Sequence, residues 1–276
     1  MGEYKIFANH AHVFPKGSKD NAQIENLKEL MAECDIEKVV CFAPFNHQTE
    51  RVGITINQNK WLYEEIKNDN KLIGFGTINF DIGSINEQVK EIADLGFKGI
   101  KIHPAAQEVK VDGRELFEVY AEAEKQNLFI SFHTGLHWHR IKDYSMLLFD
   151  EVAFNFPNLK FSMEHVGGYS FFKEALLVMN NNCRNGNNIY AGLTSIAMEE
   201  DDLGNIRSGA WSLTDDDICN LIHQTGAKNS IIGLDFPYKN VEYTKKAIER
   251  IKNLPITEEA KRGILGENLK VALGIK

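Results

Sequence analysis

Eight short apolar segments alternate with segments of helical spacing, and this alternation constrains the fold more than any other feature of the chain. The segments between them repeat apolar residues at the i, i+3, i+4, i+7 spacing of an amphipathic helix. The predicted strands cover residues 4–8, 38–43, 72–78, 97–102, 128–132, 159–163, 188–193 and 230–234. Because strands joined by helices run parallel, the 276 residues predict one α/β domain over 1–276, a (β/α)8 TIM barrel.

An open, doubly wound sheet is the alternative architecture for such an alternation. That fold would need a glycine-rich phosphate loop after its first strand, and the chain contains neither GxGxxG nor GxxxxGK. Gly74 and Gly76 lie inside a predicted strand, where they indicate close packing. The closed barrel is therefore the favoured fold.

One connection is longer than the others. Residues 195–212 follow the seventh predicted strand and are rich in Glu, Asp and Gly. Loops at this end of a barrel surround the active site, so the segment is interpreted either as a lid or as an ordinary surface insertion.

Composition excludes several classes of function. The net charge of -8, with basic residues scattered among acidic ones, disfavours a nucleic-acid-binding protein. No apolar run reaches the roughly 18 residues of a membrane span, and no signal sequence is recognised. The cysteines form no CxxC pair, which favours reduced thiols in a cytoplasmic protein; they are Cys34, Cys41, Cys183 and Cys219.

Histidines and one aspartate stand at the ends of the predicted strands. His10 and His12 close the first strand, and residues two apart in an extended chain point to the same face. The carboxyl ends of all barrel strands meet at one face, so residues distant in sequence come together there. Four further residues occupy such ends: His103, His133, His165 and Asp235.

This residue set predicts a catalytic metal ion. Imidazole nitrogens and a carboxylate suit Zn2+ or a similar first-row divalent ion and leave a coordination position for water. Such an ion can lower the pKa of water to about 7 and polarise a carbonyl. Asp235 would then be the proton shuttle.

Structural interpretations remain open for several of these residues. Asp235 precedes a predicted helix and could simply begin it, and His103 could be a strand-end histidine with its polar atoms satisfied. In the loop after the fifth strand, His137, His139 and Arg140 are either substrate-binding or solvated. Two histidines, His47 and His223, are assigned no role.

The chain resembles the amidohydrolase-related branch of the amidohydrolase superfamily over nearly its whole length. That branch includes metal-dependent TIM-barrel hydrolases and decarboxylases similar to aminocarboxymuconate semialdehyde decarboxylase. Each motif is weak alone, but together they are specific. The motifs are NHAH at 9–12, GFKGIKIHP at 96–104, SFHTG at 131–135, EHVGG at 164–168, GLDFP at 233–237 and ILGEN at 264–268.

The resemblance implies a ligand set and two candidate chemistries. The implied metal ligands are His10, His12, His133 and Asp235. In the hydrolases the aspartate after the eighth strand is the usual proton shuttle, whereas in the decarboxylases the histidine after the sixth strand, here His165, transfers the proton. His165 is therefore implied either to ligate the ion or to act on substrate and water.

Departures from related enzymes concern the fourth strand. Nucleases of the TatD type carry a glutamate there, where this chain has Lys101 and His103, which disfavours the nuclease reading. Urease-like and dihydroorotase-like enzymes carboxylate a lysine on this strand to bridge two metals, so two ions are conceivable. We favour one ion, with Lys101 and His103 binding substrate.

The leading functional hypothesis is hydrolysis of an amide, ester or lactone-like bond in a small molecule by metal-activated water, with Asp235 as acid/base. Non-oxidative decarboxylation is the second hypothesis, and a binding protein that has lost its chemistry is the third. A substrate carboxylate could be held by one of three loop arginines, Arg51, Arg140 and Arg207. The protein is predicted to be a homodimer.

Overall fold

The computed structural model contains a closed barrel of eight parallel strands and describes residues 4–182, 188–197, 199–200, 206–207 and 212–275. The barrel strands are β1 (Ile6–His12), β2 (Ile36–Phe42), β3 (Leu72–Thr77), β4 (Gly99–Ile102), β5 (Phe129–His133), β6 (Phe161–Glu164), β7 (Ile189–Leu193) and β10 (Ser230–Phe236). Around the barrel these strands follow the order β1-β10-β7-β6-β5-β4-β3-β2. The predicted (β/α)8 fold is confirmed.

Helices connect successive strands around the outside. Helix α4 shows why they form where they do: the Ser84 hydroxyl accepts a hydrogen bond from the backbone N–H of Glu87, and Val89 and Ile92 are buried on the inner face. The α-helices are α1 (Ile24–Glu33), α2 (Asn46–Glu50), α3 (Gln58–Ile66), α4 (Ile85–Asp94), α5 (Arg114–Lys125), α6 (Leu148–Asn155), α7 (Gly168–Asn182), α8 (Asp215–Thr225), α9 (Val241–Asn253), α10 (Glu258–Arg262) and α11 (Asn268–Ala272). Among described residues, no helix is both long and apolar enough to cross a bilayer.

The barrel interior is layered, with an apolar layer toward the amino ends of the strands and a polar layer next to it. Phe75 lies with its ring centroid 6.0 Å from that of Phe129, and both rings are buried. Two residues further along β5, on the same face, Ser131 is buried as well. Toward the carboxyl ends the interior is therefore polar, and the candidate site residues lie there.

The bounds of β1 differ from the prediction in a way that matters for the site. The strand runs to His12, so both histidines of the HxH motif belong to it, but its pairing with β10 shifts register between Asn9 and Ala11. At the intervening His10 the backbone is left-handed, with φ 67°. The two imidazoles therefore meet through a bulge and not through regular alternation.

Two glycines of β3 make room for side chains that pack on the outside of the strand, which agrees with the close packing expected of them. A Cβ on Gly74 would lie 2.4 Å from ring atoms of Phe97, and one on Gly76 would lie 2.5 Å from Ile92. The predicted lid, residues 195–212, lies partly outside the described residues. Within it Glu199–Glu200 (β8) pairs antiparallel with Ile206–Arg207 (β9), and the side chain of Arg207 is outside what the structure describes.

Candidate active site

Three of the predicted ligands converge on one point at the carboxyl end of the barrel. His10, His12 and Asp235 each offer a ligand atom, and these atoms all lie within 4.8 Å of one another. The two Nε2 atoms of His10 and His12 are 3.1 Å apart, and Oδ1 of Asp235 lies 3.5 Å from Nε2 of His10. The convergence that strand-end positions predicted is present for these three.

The backbone at the site is unusual. His10, His165 and Asp235 have φ values of 67°, 65° and 59°. Left-handed conformations cost a residue other than glycine on the order of 1 kcal/mol or more, and such strain concentrates at functional sites. Three left-handed residues at three strand ends indicate that the backbone is bent to aim these side chains.

The structure excludes the alternative that Asp235 serves to begin the helix that follows it. Helix α9 begins at Val241, and its cap is Asn240, whose side chain accepts from the Tyr243 N–H. Asp235 contributes only its carbonyl to the preceding turn, accepting from the backbone N–H of Tyr238 at 2.8 Å. Its carboxylate is therefore available to the site.

Glu164, the last residue of β6, is a site residue that sequence reasoning missed. It is fully buried, and its Oε2 lies 3.0 Å from Nδ1 of His10. The sequence signal for it is the EHVGG motif, in which Glu164 directly precedes His165. A buried glutamate at the carboxyl end of a barrel strand faces other strand ends, which is where its partner lies.

Charges and burial make the two histidines of the HxH motif neutral. The pKa of His10 lies well below its usual 6.5, first because the ring is buried and then because Lys101 repels a second positive charge. Burial, followed by repulsion from His10, lowers the pKa of His12 in the same way. Neutral imidazoles keep a lone pair for a cation, so with the Asp235 carboxylate they match the donor set of a first-row divalent ion.

The carboxyl group of Asp235 is held in its charged form. Burial alone would raise its pKa, but attraction to any positive charge on His10 and His165, a 2.6 Å hydrogen bond from the Ser195 hydroxyl and the Lys101 ammonium keep the pKa below the usual value. Asp235 therefore serves as a negatively charged ligand or proton acceptor at neutral pH.

His165 lies beside the ligand group with a defined hydrogen-bonding direction. Its Nδ1 is 2.9 Å from the backbone carbonyl of Thr194. A carbonyl can only accept, so Nδ1 carries the proton and Nε2 of the neutral ring is an acceptor. Burial lowers the pKa of His165, which favours that neutral ring.

His133 and His103 form a separate wall. Their rings stack with centroids 3.8 Å apart and planes within 10°, and His137 packs edge-on against both. The centroid of His133 is 4.9 Å from that of His165. His133 thus stands next to the three convergent residues and outside their close group, and its ligation stays a prediction.

A cavity of about 450 Å³ opens above these residues. Its lining combines apolar side chains with histidines, Ser195 and one lysine, Lys239. It is lined by His12, Val13, Phe14, Ala43, Pro44, Phe45, His47, Gln48, His103, Ala106, His133, His137, His165, Ser195, Asp235, Tyr238 and Lys239. Lys239 and His47 were not assigned to the site from the sequence, because neither stands at a strand end.

Two predicted substrate-binding residues are absent from this lining. Lys101 is fully buried beneath the cavity, with Nζ 5.0 Å from the centroid of the Phe42 ring. Arg140 lies in the loop after β5, where its exposed side chain approaches Asp143 at 3.9 Å. A third, His103, does line the cavity, and its Nδ1 accepts from the Ala106 N–H.

Solved structures with the same fold include decarboxylases and a hydrolase candidate. The 5-carboxyvanillate decarboxylase of Sphingomonas paucimobilis is 14% identical, with a TM-score of 0.71 over 99% of this chain and 100% of that one. A candidate 2-pyrone-4,6-dicarboxylic acid hydrolase from Pseudomonas putida is 16% identical, with a TM-score of 0.69 over 99% and 98%. A dihydroxybenzoic acid decarboxylase from Polaromonas, with bound manganese and 2-nitroresorcinol, is 14% identical, with a TM-score of 0.68 over 99% and 97%.

Sequence comparison identifies the family directly. No curated protein sequence matches the chain significantly. The amidohydrolase family model matches residues 19–268, which include every barrel strand except β1. The chain belongs to the amidohydrolase family.

Proposed function

We propose that the protein is a metal-dependent hydrolase that acts on a small molecule bearing a carboxylate. The observation that carries this proposal is the convergence of two neutral imidazoles and one carboxylate, His10, His12 and Asp235, within 4.8 Å of one another, with His12 and Asp235 lining the cavity. Water and substrate can both reach such a group from the cavity.

In this proposal the ion is held by His10, His12 and Asp235, with His133 as the fourth ligand. When bound, a divalent ion supplies a lowered pKa for water and polarises a substrate carbonyl. Zinc is the preferred ion because the donors are nitrogen and oxygen of intermediate softness, and manganese is the alternative to be tested beside it. One ion is expected, since the described residues provide one convergent group.

Asp235 is the general base of the proposed reaction. Its Oδ2 is fixed by Ser195 while the carboxyl group remains on the cavity wall, where it can take a proton from the attacking water and return it to the leaving group. His165, whose Nε2 is an acceptor, would orient the same water. Both residues can accept a proton, and hydrolysis requires an acceptor for the proton of the attacking water.

The cavity supports a compact, partly apolar, anionic substrate. Its volume of about 450 Å³ lies in the range of small-molecule sites. Apolar lining residues, among them Phe14, Pro44 and Phe45, would pack against an apolar substrate body, and Lys239 would bind a carboxylate. The related structures with carboxylic acids in their names support the same substrate class.

Decarboxylation is the second candidate, and His165 is the observation that favours it. Its ring is buried beside the ligand group and on the cavity wall, where it could protonate the carbon that loses CO2. This use requires a second proton on the ring, because the Nδ1 proton is donated to Thr194. Hydrolysis needs only the neutral His165 ring that the hydrogen bond to Thr194 already fixes, so we rank hydrolysis above decarboxylation.

Isotope labelling of the products tests the proposal. Metal-free protein and protein reconstituted with zinc or manganese would be screened against lactones, esters, amides and aromatic carboxylic acids in H2 18O. We expect one 18O atom in the product acid and loss of turnover on chelation. Release of CO2 with uptake of solvent deuterium at carbon would replace hydrolysis by decarboxylation, and turnover that survives complete metal removal would contradict both.

A further inference from the structure

We propose that Glu164 is the positioning residue of the metal centre, fixing His10 in the one tautomer that can bind the ion through Nε2. The inference rests on the proposed function for the presence of the ion. It concerns a residue that touches neither the cavity nor the expected position of the substrate, because Glu164 is fully buried and does not line the cavity.

The carboxylate of Glu164 is surrounded by donors from β1, from β5, from the residue that follows β7 and from its own strand. Oε1 accepts from the side-chain amide of Asn9 at 2.6 Å and from the Ser131 hydroxyl at 3.2 Å, and it also accepts a short hydrogen bond from Ser162. Oε2 accepts from the Thr194 hydroxyl at 2.6 Å, beside its 3.0 Å contact with Nδ1 of His10. An ionised carboxylate offers about four lone-pair sites, so these donors fill it and fix its orientation.

The contact with His10 determines where that ring carries its proton. Both oxygens of Glu164 accept hydrogen bonds from their other partners, so in the contact with His10 the Nδ1 of the ring is assigned as the N–H. A neutral imidazole has one such proton, which leaves a lone pair on Nε2. Nε2 is the atom that lies 3.1 Å from Nε2 of His12 and 3.5 Å from Oδ1 of Asp235.

The neighbouring strands keep space for this carboxylate. Gly192 of β7 is the register partner of Glu164, and a Cβ on it would lie 2.4 Å from Oε2. Gly233 of β10 keeps space for Thr194, which donates to Oε2, because a Cβ on Gly233 would lie 1.9 Å from the Thr194 hydroxyl oxygen. Side chains at these positions would displace the carboxylate from His10.

A purely structural role of Glu164 in the polar layer of the barrel leads to a different expectation. Its replacement would then lower the stability of the protein while the His10 tautomer and the affinity for the ion stayed the same. A carboxylate that orients a metal-binding histidine typically changes metal affinity 10- to 100-fold when it is removed.

The test compares Glu164→Gln with Glu122→Gln, which makes the same change at the one other buried glutamate among the described residues, on helix α5. Zinc affinity would be measured by competition with a fluorescent chelator, and the His10 tautomer by 15N NMR of the metal-free protein. We expect about 10- to 100-fold weaker zinc binding in Glu164→Gln alone, because the amide N–H2 facing Nδ1 favours the tautomer protonated on Nε2.

If Glu164→Gln does not fold, Thr194→Val tests the proposal in its place. It is nearly isosteric and removes the 2.6 Å donor to Oε2, so a smaller loss of zinc affinity in the same direction is expected. Unchanged zinc affinity in the folded variants overturns the proposal. If wild type binds no zinc, the proposed function fails, and the tautomer comparison still decides for Glu164: the same His10 tautomer in wild type and variant rejects its role.

Discussion

Oδ2 of Asp235 accepts a 2.6 Å hydrogen bond from the hydroxyl of Ser195, while Oδ1 of the same carboxylate lies 3.5 Å from Nε2 of His10. The two oxygens therefore have separate partners, one fixing the orientation of the group and the other facing the ligand cluster. Ser195 begins the segment predicted as a lid, and at its first residue that segment contributes directly to the site.

Replacing Asp235 by asparagine is expected to keep the fold and remove most of the activity. Asparagine tolerates the left-handed φ of 59° at this position, but its amide cannot accept a proton from water. A general base contributes about 10²- to 10⁴-fold in rate, and kcat with saturating metal measures the loss. Ser195→Ala is the graded comparison, with a smaller loss. An Asp235→Asn enzyme that kept more than about a third of wild-type kcat would reject the proton-shuttle role.

Metal content is expected to depend on the HxH motif. Wild type should bind one equivalent of zinc, whereas His10→Asn/His12→Asn should bind none after reconstitution, because two of the convergent donors are gone. Asparagine avoids extra strain at the left-handed His10. Elemental analysis after gel filtration measures the content, with His139→Asn/His223→Asn as control. Equal zinc in the two double variants would place the site elsewhere.

The strand-end histidines could be predicted because a barrel brings its strand ends together whatever their separation in sequence. Glu164 could not be assigned a role in this way, because its function depends on register: it faces Gly192 across a strand pair and reaches His10 across the barrel. The left-handed turn at His10 was equally hidden, since histidine is not a residue that requires it. Lys239 was missed because it follows the last strand by a turn.

His165→Asn is expected to separate the two chemistries. Asparagine fits its left-handed φ of 65° but cannot transfer a proton. Under hydrolysis, activity should fall only in part, since Asp235 remains. Under decarboxylation, product formation and deuterium exchange should both stop while zinc content is unchanged. Both readouts are taken on the same metal-loaded sample, and zinc loss in this variant would make His165 a ligand.

Lys239→Met is expected to raise KM for an anionic substrate with little change in kcat. Lys239 is the one lysine on the described cavity wall, so its loss removes the charge that would bind a carboxylate. Lys19→Met is the matched control, because both lysines stack on tyrosine rings, at 4.5 and 4.7 Å, but Lys19 does not line the cavity. Equal KM changes in the two variants, or equal changes for a neutral substrate, would remove the carboxylate from the proposal.

Lys101 is expected to lower the free energy of unfolding at neutral pH. Burial lowers its pKa from 10.5 to about 8, although Glu164 and Asp235 act in the opposite direction. Between these two pH values the unfolded chain binds a proton that the folded chain does not, so stability rises with pH from about 8 to 10.5. Below pH 8 the folded protein carries the full cost of a buried ammonium, about 3 kcal/mol from the size of the shift.

Lys101→Met should therefore stabilise the metal-free protein at pH 7 by up to about 3 kcal/mol and abolish the rise in stability above pH 8. Methionine has a similar shape, and Nζ of Lys101 makes no hydrogen bond to the described residues that would be lost. Urea unfolding at pH 7 and 10 measures the change, with the exposed Lys98→Met as control. A variant less stable than wild type at pH 7 would mean that attraction to Glu164 and Asp235 outweighs burial.

The same variant tests the number of ions. With Lys101 as an ammonium, the zinc stoichiometry stays at one. Two equivalents of zinc in wild type that fall in Lys101→Met would instead identify a carboxylated lysine bridging two metals.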